Sequence, residues 1–237
     1  MSASPWRVLG APSFWWRVAI ALVILAGILS GSHKLQFFTS NASVFALAYY
    51  AIAVVLMVQR RTTDAPAPRL RGGIVVWLLT TMLVSHFINN HGENPLPGLV
   101  DAADASELLS NWSAFLVHYV APIMVLAEFV LFRPHGRTRW VDIALWLLFP
   151  LGYAAASITR AVLLPVVPDR YPYPFLDPEG RGYGDVVVGV LQIGVGIAVI
   201  GALVVAVDRL LGRWSRSRSD ASAESGIDDP QTHQPAT

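Results

Sequence analysis

Six continuous apolar runs, each about the length a helix needs to cross the hydrocarbon core of a bilayer, leave this chain little freedom in how it folds. They cover approximately residues 15–32, 43–59, 73–90, 112–132, 141–163 and 185–211. The runs do not alternate between apolar and polar residues, so they read as helices and not as barrel strands. Composition agrees: 54% of the 237 residues are hydrophobic and only 14% are charged, too few to cover a soluble surface. The expected fold is therefore all-α, an integral membrane bundle of six transmembrane helices over residues 1–212. A polar stretch, 213–237, is expected to form a disordered tail.

Charge orients the bundle. Thirteen of the seventeen basic residues fall at or before the start of the first run, in the even-numbered connections, or at and beyond the end of the sixth run. Among them are Arg17, Arg60, Arg61, Arg69, Arg71, Arg133, Arg137, Arg139, Arg209 and Arg213. The opposite loops carry Lys34, Arg170 and Arg181, with Arg160 near the end of the fifth run, and residues 90–111 carry only acidic charge. Because basic residues stay in the cytoplasm, both termini are expected there, with the protein in the cell membrane. The first run resembles a signal-peptide core, but it lacks a small-x-small cleavage site. Its Gly27-x-x-x-Gly31 spacing suits helix packing, so it is read as a retained span.

Several chemistries are excluded. With no cysteine there is no disulfide, thiolate metal site or cysteine nucleophile. No G-x-S-x-G, H-E-x-x-H or P-loop motif occurs, and no basic nucleic-acid surface. No metal or other cofactor is expected. In the sixth run Gly194, Ala198, Ala202 and Ala206 form a small-residue stripe, read as helix packing.

Polar groups inside a membrane are costly, so their positions carry information. Here they cluster toward the outer face. Thr39, Ser40, Asn41 and Ser43 open the second run, and His86, Asn89 and Asn90 share one face of the third. His118 lies in the fourth run, four residues before Pro122, whose missing amide should kink the helix there. Ser157 and Arg160 stand near the outer end of the fifth. Glu128 lies deeper and is read as a carboxylate paired with a nearby arginine, while Asp142 and Asp208 sit at helix ends beside basic loops.

Three stretches, QFFTSNASVFALAYY, VHYVAPIMVLAEFVLF and YPYPFLD, resemble the androgen-induced-protein family across approximately residues 36–200. Eukaryotic members of that family are six-helix membrane hydrolases of fatty-acid esters of hydroxy fatty acids. The resemblance implies a lipid-ester hydrolase whose catalytic pair is Thr39 and His118. In such a pair the imidazole accepts the threonine proton and returns it to the leaving alcohol. Ser40 is a second hydroxyl beside Thr39, and no acidic residue presents itself to orient His118. Asn41, His86, Asn90 and Arg160 are the expected substrate-binding residues, with Asn41, Asn90 or Arg160 placed to donate to an oxyanion. Two alternatives stay open at this point. One is a lipid-binding or transport protein without catalysis; the other is a redox protein with His86 and His118 as haem ligands.

Overall fold

The computed structural model describes residues 5–31 and 35–225. Lys34, one of the charges used above, lies outside the described residues. Among the described residues the regular structure is entirely helical, with no strand. The helices are α1 (Pro5–Leu9), α2 (Pro12–Ser30), α3 (Phe38–Arg60), α4 (Pro68–Leu83), α5 (Ala105–Phe115), α6 (Ala121–Leu131), α7 (Asp142–Leu163) and α8 (Tyr183–Ser225). Two π-helical segments extend this set. Val84–Asn89 continues α4, and Leu116–Val120 joins α5 to α6. Six spans are long and apolar enough to cross a membrane: α2, α3, α4 with its π segment, α5 through α6, α7 and α8. This is the architecture of a multi-pass membrane protein.

All the spans but α7 start earlier than hydropathy alone places them, most of them with polar residues in the first turn. Pro68 opens α4 at a position where its missing amide costs nothing. Asp104 caps α5, accepting from the Glu107 amide at 2.8 Å, while Glu107 returns a bond to the Ala103 amide at 2.7 Å. At the other end of the chain, the stretch expected to lose order from 213 instead continues α8 to Ser225. Its Arg, Ser, Asp, Ala and Glu residues tolerate helix, and the first breaker in the sequence is Gly226. Residues 226–237 lie outside the described residues.

α4 is the central helix. It packs against α3, α6, α7 and α8, while α2 packs between α3 and the α5–α6 span. Close approach requires small residues at the contacts. A Cβ at Gly72 or Gly73 would stand 2.7 Å from the Trp146 ring, so these glycines admit that indole between α4 and α7. The indole then donates to the Arg69 carbonyl at 2.9 Å, and Trp77 donates to the Trp146 carbonyl at 2.9 Å. Gly27 likewise admits Val117 and Leu116, and the Ser113 hydroxyl donates to its carbonyl at 2.7 Å. The stripe expected to pack on α8 does not do so at Gly194, where a Cβ would meet nothing within 4 Å. The packed face of α8 runs instead through Ile197, Gly201, Val204 and Val205, while Leu191, Val195, Val199 and Leu203 face outward.

The end of the bundle that carries the arginines is locked by a buried ion triad. Glu128 accepts from Arg17 Nε at 2.7 Å and from Arg71 Nε at 2.8 Å, and all three residues are fully buried. The surplus positive charge meets neutral oxygens: Arg17 donates to the Thr63 and Arg133 carbonyls, Arg71 to those of Glu128, Phe132 and Pro134. One carboxylate thereby ties α2, α4 and α6 to both connections at this end. Nearby, Arg69 pairs with Asp142, and Asp208 accepts from the amides of Gly136 and Thr138 and from the Thr138 hydroxyl.

His135, in the loop between α6 and α7, has a buried Nε2 that meets no partner among the described residues. Burial, reinforced by the positive charge of Arg71, pushes its imidazole below the usual histidine range. The folded protein therefore holds His135 neutral where the unfolded chain would take a proton. Stability should be flat above about pH 6.5 and fall as pH drops below it, until the folded-state value is passed. Melting temperatures of wild type and His135→Gln between pH 5 and 8 check this. The slope should be shallower in the variant.

Candidate functional site

At the end of the bundle opposite the arginine triad, the polar residues separate into three places. The first is a narrow apolar crevice among α3, α4, α7 and α8. Thr39 lines it from the first turn of α3, Thr80 and Thr81 from α4, and Pro150 and Ala154 from α7; Gly194 lies on the α8 wall. The hydroxyls of Thr80 and Thr81 donate to their own helix, to the Val76 and Leu78 carbonyls at 2.8 Å. Thr39 is thus the hydroxyl at the start of its helix, where the crevice meets the loops. Ser40, its neighbour, is buried and does not line the crevice.

Tyr173 comes from the loop between α7 and α8, within the YPYPFLD stretch, and was not expected at the site. Its ring stacks on Phe175 at 5.4 Å and meets Phe37 and Tyr153 edge-on. Leu176, fully buried, anchors this loop, and Phe175 presses so closely on Gly189 that a Cβ there would stand 2.9 Å away. The loop therefore roofs the crevice. Burial pushes the Tyr173 phenol above its ordinary value, while hydrogen bonding to Phe38 and Thr39 acts in the opposite direction. A neutral phenol beside the Thr39 hydroxyl is a hydrogen-bonding partner and not a base at ordinary pH.

The second place is a cluster joining the two π segments. His86 Nδ1 lies 3.3 Å from the Tyr119 hydroxyl, and Asn90 Nδ2 donates to the same oxygen at 3.2 Å. Of the three residues expected on one face, His86 and Asn90 meet at Tyr119, while Asn89 is exposed. The third place is a groove on the side of α7, where Asn41 and Arg160 both contribute to the walls. Asn41 Nδ2 donates to the Leu35 and Phe37 carbonyls, so its amide holds the turn into α3.

His118 belongs to none of these three. Its Nδ1 sits 2.9 Å from the Ala114 carbonyl one turn back, and it does not line the crevice that holds Thr39. The expected kink at this position takes the form of a π segment. The Ala121 amide reaches back five residues to Leu116, which absorbs the irregularity that Pro122 imposes just beyond. The segment packs against α2 and also touches α3, the helix that carries Thr39. Among the described residues no group of three or more His, Asp or Glu side chains gathers as a metal site would require.

Compared with protein-family models, with curated proteins and with solved structures, the chain matches none. The resemblance to the androgen-induced-protein family therefore rests on the three stretches of sequence alone.

Proposed function

We propose that the protein is a multi-pass hydrolase of lipid esters in the cell membrane, its arginine-rich end in the cytoplasm and its crevice receiving an acyl chain. The observation that carries this reading is Thr39: a hydroxyl on the wall of a narrow, almost wholly apolar crevice, beneath a roof of aromatic side chains. An apolar slot with one reactive group at its polar end suits a chain whose ester stops at that group. In the proposed reaction Thr39 Oγ1 attacks the ester carbonyl and its proton passes to the His118 imidazole. The alcohol leaves with that proton, and water then releases the acyl group from Thr39. The contact between α3 and the π segment that carries His118 is compatible with this pairing.

Chain-length selectivity tests the reading. A Cβ at Gly194 would meet no atom within 4 Å, yet that residue lines the crevice. Gly194→Leu should fill part of the slot without disturbing the bundle. Losing room for two methylenes costs about 1.6 kcal/mol, so turnover of long-chain esters should fall about tenfold. Short-chain esters should be cleaved as before. An equal loss on both would place the acyl chain elsewhere.

The turn of His118 toward Ala114 favours a second reading, a lipid-binding or transport protein without catalysis. Under that reading wild type binds long-chain amphiphiles, and Thr39→Ala binds them equally well.

A further inference from the structure

The groove on the side of α7 has a character unlike that of the crevice. It is separate from the crevice, and Tyr153 is the residue that lines both. Its floor and one wall are Leu148, Phe149, Gly152 and Ala156 of α7. Leu148, Gly152 and Ala156 are exposed on the flank of the bundle, so the groove opens sideways toward the surrounding bilayer.

Arg160 stands at the head of this groove, about 18 Å along the helix from Leu148. Among the described residues its guanidinium meets no carboxylate. Its four contacts, at 3.3–3.5 Å, are the carbonyls of Pro168, Asp169 and Arg170 and the Gln36 side-chain oxygen. All are neutral and all are long. The nearby carboxylate of Asp169 is engaged instead by Gln36 Nε2 at 2.7 Å. Arg170, by contrast, has Glu179 as its ion partner. A guanidinium that meets no carboxylate among the described residues, held where a span ends and above an apolar trough, complements an anion that carries a chain.

We propose that this groove binds one membrane phospholipid, with its phosphate diester on Arg160 and one acyl chain lying along α7 past Gly152 to Leu148. The phosphate is the abundant anion at that depth of a bilayer, and the open flank lets the lipid enter without leaving the membrane. This site is independent of the Thr39 crevice.

Native mass spectrometry of the purified full chain tests the proposal, with phosphatidylglycerol and a diacylglycerol of the same acyl chains as probes. Wild type should retain one phosphatidylglycerol and no diacylglycerol. Arg160→Gln should lower retention at least tenfold. Because Arg160 also holds the 168–170 loop, Gly152→Phe serves as the second variant: nothing lies within 4 Å of a Cβ there, so it blocks the groove and leaves packing intact. It too should lose the phospholipid, whereas Thr39→Ala should keep it. Equal retention of the two probes, or undiminished retention in Gly152→Phe, would overturn the proposal.

Discussion

Glu128→Gln is expected to destabilise the bundle by about 3–5 kcal/mol, the largest single-residue effect on stability in the molecule. The carboxylate is the one anion that Arg17 and Arg71 share, and all three side chains are fully buried. Glutamine keeps the shape and loses the charge, so two guanidiniums are left facing each other with only neutral groups around them. Arg17→Met should cost less, because Arg71 still pairs with Glu128 through Nε and donates to its carbonyl. The triple variant Arg17→Met, Arg71→Met, Glu128→Met separates the two origins of the effect. Much of the loss in Glu128→Gln is the penalty of unpaired buried charge, so removing every charge should recover part of it. Unfolding titrations in detergent measure all three. A Glu128→Gln variant as stable as wild type would show that the triad does not hold this end together.

The second large effect concerns turnover. If Thr39 is the nucleophile, Thr39→Ala should lower hydrolysis of a long-chain ester by roughly 10⁴-fold or more, with folding and chain binding unchanged. Thr39→Ser keeps the hydroxyl and should retain measurable activity. His118→Ala should lose on the order of 10²–10⁴-fold, the usual worth of a general base. The His118 variant is the sharper of the two, because its imidazole is bonded to the Ala114 carbonyl and stands off the crevice wall. A merely structural His118 would change stability and leave the rate per folded molecule alone. Loss of rate at constant stability is the signature of a proton acceptor.

The bundle was legible in the sequence because continuous apolar runs encode span number directly. Helix starts were less so, yet the Asp104-x-x-Glu107 cap and Pro68 carried that information in plain view. The pairing of Glu128 with an arginine was also legible; its partners were not. Arg17 and Arg71 read as loop charges that orient the chain, and only the packing of α2 and α4 against α6 takes them inside. The same limit applies at the other end. Periodicity gives a residue's depth and an approximate face on its own helix, which brought out His86 and Asn90 but also grouped the exposed Asn89 with them. It does not give the rotation of one helix against another. Hence Thr39, His118 and Arg160 read as one polar cluster, whereas the fold distributes them among a crevice, a helix flank and a groove. Tyr173 was noted within YPYPFLD but not as a crevice residue, because an irregular loop places it and loop paths leave little periodic trace in sequence.

The most direct test of Thr39 as a nucleophile is covalent capture. Purified protein would be treated with a long-chain alkyl fluorophosphonate, which reacts with activated hydroxyls, and the modified residue located by peptide mass spectrometry. Stoichiometric labelling at Thr39, suppressed in His118→Ala and by competing fatty ester, is the expected result. An unlabelled Thr39 in protein that binds the probe, or a label on another residue, would contradict the catalytic reading.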